Sequence, residues 1–94
     1  MNMKSECLLS IIIVNYNSRE LLKSCLRSIK STLEIQEVEI FVADNDSHDG
    51  SVEMVRDNFP EVEIIANESN MGYSKAINQA IHPSLGKYIL ILNA

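Results

Sequence analysis

Apolar residues follow two alternating patterns along the chain. Short runs rich in branched apolar side chains occur four times, within residues 9–17, 38–44, 62–66 and 88–92, and predict strands. The first of them is continuously apolar before it ends in amides, which is typical of a strand that is covered on both faces of a sheet. Between them, apolar residues recur every three or four positions, which is typical of amphipathic helices. The chain therefore predicts the order β-α-β-α-β-α-β and an α/β fold with a parallel sheet and helices on both faces.

Two helices are predicted before the third strand. The first spans residues 19–32 and has Ser18 as its N-cap. The second begins near Gly50, is capped by Asp49 or Ser47, and ends before the following proline. The apolar positions at helical spacing are Leu21, Leu22, Cys25, Leu26, Ile29 and Leu33 in the first helix, and Val52, Val55 and Phe59 in the second.

A third, shorter helix is predicted between the last two strands. Ser74 is its expected N-cap, and the dipeptide His82-Pro83 stops it. Its inward positions are expected to be Ala76, Ile77, Ala80 and Ile81. Gly86 then turns the chain into the last strand. In the loop before this helix, Gly72 is expected to supply a positive φ angle or a close backbone approach.

Composition and charge narrow the kinds of partner. The chain has 94 residues and a net charge of −5, with eleven acids and one base within residues 34–68. Such a chain binds nucleic acid or an anionic membrane poorly, and a phosphate ligand would need a metal ion or backbone amides as its positive partner. Cys7 and Cys25 lack metal-ligand spacing, so we expect two reduced, half-buried thiols. No run approaches the length of a membrane span, and neither a signal peptide nor an anchor is predicted.

Polar or small residues follow each predicted strand. They occupy positions 15–17, 44–47, 67–72 and 93–94. We expect the strand order 3-2-1-4, as in half of a doubly wound fold, which brings all four carboxyl ends to one edge of the sheet. Ligands of open parallel sheets bind outside this edge, at the point where the strand order reverses. The four segments are therefore the first place to look for a binding site.

The segment VADNDSHDGS has two interpretations. Asp44 and Asn45 can face a nucleobase, because a carboxylate accepts an N–H and an amide both donates and accepts. Alternatively, Asp44, Asp46 and Asp49 bond local backbone in an Asx turn and cap the next helix. We favour the ligand interpretation for Asp44 and Asn45 and the cap for Asp49, while Asp46 stays open. A calcium loop is discounted because the required Gly and Glu are absent.

Other single residues also have more than one interpretation. Tyr16 can stack on a base or cover the edge of the sheet. Lys75 can bind a phosphate or be solvated. Asn78 can point to the carboxyl edge of the sheet or form a local hydrogen bond. His48 and His82 have no Cys or His at ligand spacing and are expected at the surface.

Several classes of protein are excluded by missing motifs. No Gly-rich loop follows the first strand, and neither a P-loop nor a G-x-S-x-G elbow occurs. A receiver-like signalling domain needs an acidic pair after strand one and an aspartate after strand three. Asn15, Asn17 and Asn67 stand in those places instead.

Four segments, in this order and spacing, resemble a known family. LSIIIVNYNS, VADNDSHDGS, NMGYSKAINQAI and YILILNA resemble the N-terminal half of family-2 glycosyltransferases, which have the Rossmann-like GT-A fold. The resemblance extends from about Leu8 to Ala94. VADNDS and ILILNA are most similar to the branch that transfers rhamnose and other sugars to cell-surface polysaccharides.

The resemblance implies an inverting transfer of a sugar from a UDP-, dTDP- or GDP-sugar to an acceptor hydroxyl of a glycan or a lipid-linked glycan. It implies that Tyr16 lies against the base, that Asp44 and Asn45 contact base or ribose, and that Gly72 and Lys75 lie near the nucleotide. Asn78 occupies a motif position. With the rim residues, the candidate nucleotide-binding set is Tyr16, Asn17, Asp44, Asn45, Asp46, Gly72, Lys75 and Asn78.

The resemblance also implies Mg²⁺ or Mn²⁺, bound by acids that follow the strand matching YILIL. Because the sequence stops at Asn93-Ala94, we expect residues 1–94 to be one truncated domain without the metal acids or the catalytic base. Such a domain is expected to bind nucleotide without transferring sugar. The protein is expected in the cytoplasm, at the inner face of the membrane. The alternative is a non-enzymatic module that binds nucleotide or forms a homodimer through uncovered sheet surface.

Overall fold

The computed structural model describes residues 7–32 and 37–94, which contain four strands and three helices in alternation. Leu33, assigned above to the first helix, lies outside these residues. The elements are β1 (Leu9–Asn15), α1 (Arg19–Thr32), β2 (Val38–Asp44), α2 (Ser51–Asn58), β3 (Glu63–Ala66), α3 (Tyr73–Ile81) and β4 (Tyr88–Asn93). Among the described residues, no helix is both long and apolar enough to cross a membrane.

The four strands form one parallel sheet in the order β3-β2-β1-β4, as predicted. The central strand β1 pairs with β2 on one side and with β4 on the other. Residues 11–15 of β1 are all buried. This explains why the run in β1 is continuously apolar, since a strand with helices over both faces exposes neither set of side chains.

The helices cover both faces of the sheet, as predicted. On one face, α1 and α2 pack against alternate residues of the central strands, and on the other face α3 does so. The first layer contains Ile11, Ile13, Leu22, Leu26, Ile29, Ile40, Val42, Met54, Val55, Phe59 and Val62. The second contains Ile12, Val14, Phe41, Ala43, Ala76, Ile77 and Ala80.

Three positions expected to face the core do not lie in it. Leu21 is 67% exposed and Ile81 is 37% exposed, while Val52 is half-buried and Met54 occupies the core in its place. Each of them has an apolar neighbour one or two positions away that points more directly at the sheet. Helical periodicity locates the inward face only to within about one residue at its borders.

The predicted caps are partly wrong. The Ser18 hydroxyl donates to the carbonyl of Tyr16 rather than capping α1, and the first amide of α1 is bound by Asp49 instead. Gly50, with φ 84°, occupies the N-cap of α2. Ser74 lies inside α3, which begins one residue earlier after Gly72.

Gly72 has φ 88° and ψ 169°, a conformation that is essentially restricted to glycine. Its amide donates to Asn70 Oδ1 at 3.0 Å in an Asx turn. The positive φ expected of Gly72 is therefore present. A Cβ at this position would meet nothing within 4 Å, so a close approach is not the reason for glycine here.

β4 is the most exposed strand. Tyr88, Ile89, Leu90 and Ile91 are 59, 42, 43 and 39% exposed, although β4 pairs along its length with β1. The turn that leads into β4 is held at the amino edge of the sheet, where the Gly86 amide donates to Ser10 Oγ at 2.8 Å. β4 is thus an edge strand that combines firm pairing with uncovered apolar side chains.

Candidate functional site

The polar segments that follow the strands meet along one edge of the sheet. In the register of the sheet, Asn15 lies beside Asp44, and Asp44 lies beside Ala66. On the other side of β1, Val14 lies beside Asn93. We call this carboxyl edge, with the loops that leave it, the rim. The strand order reverses between β1 and β4, so the loop after β1 is next to the switch point.

Asp44 is buried and holds three hydrogen-bond donors. Its Oδ1 accepts from Asn15 Nδ2 at 2.8 Å and from Ser47 Oγ at 2.7 Å, and its Oδ2 accepts from the Ser47 amide at 2.9 Å. The side chain is 1% exposed. A buried carboxylate needs such donors, because an unpaired buried charge is costly. Asp44 therefore ties the end of β1 to the turn after β2.

Asn15 is also buried, and its amide nitrogen serves two acceptors. Nδ2 donates to Asp44 Oδ1 and, at 3.2 Å, to Ser47 Oγ. Its Oδ1 has no partner among the described residues. An unsatisfied buried acceptor costs about 1–3 kcal/mol. The fold tolerates this cost where the amide nitrogen joins two loops of the rim.

The turn after β1 and the turn after β2 are joined by hydrogen bonds in both directions; we call them the crossed turns. The Asn17 amide donates to Ser47 Oγ at 2.8 Å, and the His48 amide donates back to Asn17 Oδ1 at 2.8 Å. Asn17 has φ 49°, a left-handed conformation that asparagine tolerates better than most residues. Between these anchors, Tyr16 projects with 51% of its surface exposed. An exposed tyrosine beside the switch point offers an aromatic face to a ligand.

Asp46 is the other left-handed residue of the described rim that is not a glycine, with φ 67°. Its carboxylate lies 3.5 Å from His48 Nε2, so the two side chains form an ion pair only when the histidine is protonated. His48 and His82 are both exposed, as expected. Asp46 takes no part in the hydrogen bonds around Asp44 and is the more accessible of the two carboxylates.

Asn45 belongs to a second network, formed by amides. Its Nδ2 donates to the carbonyl of Gly72 at 3.2 Å, and its Oδ1 accepts from Asn67 Nδ2 at 3.1 Å. Asn67 and Gln79 exchange two hydrogen bonds, of 2.9 and 2.8 Å. The end of β2, the end of β3 and the helix α3 are therefore joined through three side-chain amides.

Lys75 and Asn78 lie on α3 but outside both networks. Lys75 is exposed in the first turn of the helix and forms no ion pair with the described residues. Asn78 is exposed, and its carbonyl accepts from the His82 amide at 3.3 Å. The residue that turns towards the rim is the next one, Gln79.

Asp49 joins the first turns of two helices. Its Oδ2 accepts from the Arg19 amide at 3.0 Å, and its Oδ1 accepts from the Ser51 amide at 3.1 Å and from the Ser51 hydroxyl. Desolvation raises the pKa of Asp49, but the hydrogen bonds from Ser51 and Arg19 outweigh it, so that the pKa lies below its ordinary value of 3.8. Asp49 is therefore not the N-cap of α2, which is Gly50, but its carboxylate accepts from the first amide of both helices.

The divalent metal implied by the family resemblance does not fit the described residues. Within 7–32 and 37–94, no three Asp, Glu, His or Cys side chains come together as a possible metal site. Asp44 already accepts three protein donors, and Asp49 accepts three more. No chemical step is therefore assigned to a metal held by these residues.

The structure brings together most of the predicted set. Tyr16, Asn17, Asp44 and Asp46 lie on the crossed turns, and Asn45 and Gly72 share the amide network. The linking roles of Asn15, Ser47, Asn67 and Gln79 were not predicted. Asn15, Ser47 and Asn67 stood in the rim segments, whereas Gln79 had only one signal, a polar residue beside inward positions of a helix.

Comparison with known proteins places this chain in a family. The family model described as glycosyl transferase family 2 matches residues 10–94. The chain is 33% identical over 95 residues to the uncharacterized glycosyltransferase YibD of Escherichia coli, covering 98% of this chain and 27% of that protein. It is 32% identical over 82 residues to the prophage-derived glycosyltransferase SunS of Bacillus subtilis, covering 87% of this chain and 18% of that protein.

The same fold occurs in a solved structure. The mannosyltransferase PcManGT from Pyrobaculum calidifontis, in complex with GDP-Man and Mn²⁺, superposes with a TM-score of 0.81 at 23% identity over 90% of this chain and 26% of that one. This establishes a GT-A type of α/β fold. The chain spans 27% of the length of YibD and 18% of that of SunS. With the family model covering nearly all of its residues, the chain belongs to glycosyl transferase family 2.

Proposed function

We propose that residues 1–94 form the donor-nucleotide domain of a longer glycosyltransferase. The complete protein transfers a sugar from a UDP-, dTDP- or GDP-sugar to an acceptor hydroxyl, with inversion, in the synthesis of a polysaccharide or another cell-surface glycan. The observation that carries this proposal is the hydrogen-bonded polar rim, at the carboxyl edge of a family-2 sheet. VADNDS and ILILNA favour the rhamnosyltransferase-like branch.

Tyr16 is proposed to stack on the nucleobase. It is exposed, it is next to the reversal of strand order, and both its neighbours are fixed by hydrogen bonds. Base stacking on an aromatic ring tolerates any base, which is consistent with a site open to several nucleotides. Asn17 and Asp46, on the adjoining turns, are proposed to line the same side of the site.

Asp44 and Asn45 are proposed to contact the base or the ribose at the floor of the site. Asp44 Oδ2 accepts a single protein donor, and a carboxylate oxygen can accept two. Asn45 Nδ2 donates one of its two hydrogens to the Gly72 carbonyl and keeps the other. Each group therefore has one hydrogen-bonding position that no described residue fills, but Asp44 is 1% and Asn45 is 3% exposed, so this contact requires the loops of the rim to open when nucleotide binds.

The beginning of α3 is proposed to face the phosphates. Lys75 is exposed in its first turn, where the partial positive charge of a helix N-terminus adds to the charge of the ammonium group. Gly72 precedes this turn, and Asn78 follows it on the exposed side of the helix. In a chain of net charge −5, such a cation would offset part of the charge of an anionic ligand.

Mg²⁺ or Mn²⁺ is proposed as the cofactor of the complete protein, with ligands outside residues 1–94. The described residues provide neither a metal site nor a side chain that can be identified as the general base. The 94-residue chain is therefore expected to bind nucleotide but not to transfer sugar. Metal-dependent transfer by the purified chain would contradict this expectation.

A nucleotide titration followed by protein NMR tests the site. UDP, dTDP and GDP are added to the purified chain with and without Mn²⁺, and shifts are expected at Tyr16, Asp44 and Asn45 without metal. The matched control is Tyr88, which is similarly exposed but lies at the amino end of β4. Tyr16→Ala should raise the Kd about tenfold to a hundredfold, the range that stacking of one base provides, and Tyr88→Ala should leave it unchanged. Equal effects, or no shifts at the rim with any nucleotide, would contradict the proposal.

A second candidate function is self-association, in which β4 pairs with another copy of the chain. The specific observation is the row of exposed apolar side chains on this edge strand, at residues 88–91. Light scattering over a range of concentrations tests it. A rising molar mass supports a homodimer, and a constant monomer mass contradicts it.

We place the complete protein in the cytoplasm, at the inner face of the membrane where a lipid-linked acceptor would be presented. Cys7 and Cys25 support the first part, because both are free and half-buried, as expected in a reducing compartment. Fractionation of cells that express the complete gene tests both parts.

A further inference from the structure

We propose that Ser47 is a positioning residue, which fixes Tyr16 in the place where it meets the nucleobase. This inference rests on the proposed function, since it assumes that Tyr16 stacks on a base. The sequence suggested a helix cap for Ser47, but it does not cap α2.

The hydroxyl of Ser47 has all of its hydrogen-bonding positions filled. It donates to Asp44 Oδ1 at 2.7 Å and accepts from Asn15 Nδ2 at 3.2 Å and from the Asn17 amide at 2.8 Å. A hydroxyl has one donor and two acceptor positions. The geometry therefore leaves Ser47 Oγ no position for a ligand, and its role is to hold protein groups.

Two of these groups are the residues on either side of Tyr16. Asn15 is reached through its side chain and Asn17 through its backbone amide, so Ser47 fixes Tyr16 from both directions. The tyrosine itself is held through its backbone, because its carbonyl accepts from the Ser18 hydroxyl at 3.3 Å. With half of its surface exposed, the ring depends on these backbone anchors for its position.

Asn17 adds a reason why the anchor is needed. It holds a left-handed conformation, which costs an asparagine free energy unless local bonds support it. Its support comes from Ser47 Oγ and from the bond between Asn17 Oδ1 and the His48 amide. If the hydroxyl is removed, the Asn17 amide and one Asn15 hydrogen lose their acceptor, and the turn that carries Tyr16 loosens.

A looser turn weakens binding because the ring must be ordered when the nucleotide binds. We expect Ser47→Ala to raise the nucleotide Kd about fivefold to tenfold, within the range that stacking of one base on an aromatic ring provides. Ser47→Thr keeps the hydroxyl and is expected to restore binding. Ser31→Ala is the matched control, since this exposed hydroxyl on α1 bonds only to the nearby Ser28 carbonyl.

The test is a double-mutant cycle on the full 94-residue chain, with Kd measured for UDP, dTDP and GDP by NMR. The variants are Ser47→Ala, Tyr16→Ala and the two combined. If Ser47 acts through Tyr16, then Ser47→Ala raises the Kd in the wild-type background and leaves it unchanged in the Tyr16→Ala background. In the Ser47→Ala protein, the nucleotide-induced shifts of the Tyr16 ring should also decrease.

The outcomes separate this inference from the function it rests on. Binding by the wild type with an unchanged Kd in Ser47→Ala overturns the positioning role alone. If Ser47→Ala raises the Kd equally in the wild-type and Tyr16→Ala backgrounds, the positioning role is also overturned. Ser47 would then affect binding independently of Tyr16, through its bond to Asp44. Absence of binding by the wild type overturns the proposed function and this inference with it. If Ser47→Ala does not fold, Ser47→Cys, which keeps a side chain of similar shape but is a weak hydrogen-bond acceptor, takes its place in the cycle.

Discussion

At the scale of the residue, polar side chains do more to connect the loops of this protein than to cover its surface. Asp44, Ser47 and Asn45 each bond to a segment distant in sequence. Asp49 does the same for the first turns of α1 and α2. Such side chains determine where the loops of the rim lie, because loops have no ladder of backbone bonds to hold them.

The first prediction concerns Asp49 and acid. Because its folded-state pKa is below 3.8, its carboxylate stabilises the native state at higher pH, and this contribution is lost as the pH falls below 3.8 through the folded pKa. Exposure to solvent keeps the contribution small. Urea unfolding between about pH 5 and pH 2 should therefore show a weaker pH dependence in Asp49→Asn than in the wild type.

Asp49→Ala additionally removes the acceptor of two helix-terminal amides and should cost about 1 kcal/mol of unfolding free energy at neutral pH. The control is Asp57→Asn, at an exposed position of α2. If the Asp57 variant changes the acid dependence as much as the Asp49 variant does, the role given to Asp49 is wrong.

The second prediction concerns the paired amides of Asn67 and Gln79. Asn67→Ala removes both partners of the half-buried Gln79 amide, and Gln79→Ala leaves Asn67 Oδ1 without a donor, so each should lower the unfolding free energy by about 1–3 kcal/mol. The combined variant should cost less than the sum, with a coupling of about 1 kcal/mol. Chemical denaturation measures all three. Additive losses would mean that the two bonds contribute little as a pair.

At the scale of the element, the turn that leads into β4 is held by hydrogen bonds, whereas the side chains of β4 itself are largely exposed. The Ser10 hydroxyl, bonded to Glu39 Oε2 at 2.6 Å, accepts from the Gly86 amide, and Glu39 also accepts from the Leu85 amide. These bonds hold the turn between α3 and β4 against the amino edge of β1. They lie directly before the first pair of the β1–β4 register, Leu9 with Tyr88.

The third prediction follows from the space at Gly86. A Cβ placed there would overlap the side chain and backbone of Ser10 and the backbone of Leu9, which cannot move without shifting β1. Gly86→Ala should therefore lower the unfolding free energy by about 1–3 kcal/mol, the usual range for overpacking. Hydrogen exchange at the amide of Tyr88, which bonds to the Leu8 carbonyl at 2.9 Å, should become faster.

The neighbouring variant Lys87→Ala is the control for Gly86→Ala. Lys87 is exposed, and its loss should change the unfolding free energy by less than about 0.5 kcal/mol. Similar losses in the two variants would show that the space at Gly86 is not limiting.

At the scale of the whole molecule, cover over the sheet is uneven. The central strands β1 and β2 are buried between α1 and α2 on one side and α3 on the other. β4 at one edge keeps four consecutive apolar residues partly exposed. A long, flat, apolar edge strand favours pairing with another chain.

The fourth prediction is that charge on this edge reduces self-association. Ile91→Lys, at a residue that is 39% exposed, should lower the fraction of associated chain in sedimentation experiments, because a charged side chain on an edge strand opposes pairing. Leu21→Lys is the control, since Leu21 is an equally apolar and even more exposed residue on α1. Equal effects of the two variants would mean that β4 is not the contact.

Much of the fold could be predicted from the sequence because its signals are local. Continuous apolar runs marked the strands, and their alternation with helices predicted a parallel sheet whose polar carboxyl ends meet at one rim. Tyr16, Asp44, Asn45 and Gly72 were predicted to lie there from their places in the chain. Tyr16 follows β1, Asp44 and Asn45 stand at the end of β2, and Gly72 precedes α3.

The tertiary structure alone decided which polar atoms pair across the rim. Asp49 bonds the start of α1, thirty residues away, and Gln79 rather than Asn78 turns inward to Asn67. Such pairings depend on how the helices rotate and pack against the sheet. The residues next to each position in the sequence do not determine this packing. The sequence by itself therefore determined the order of elements and the polar edge at which the strands end, and long-range packing decided which side chains hold the loops of that edge together.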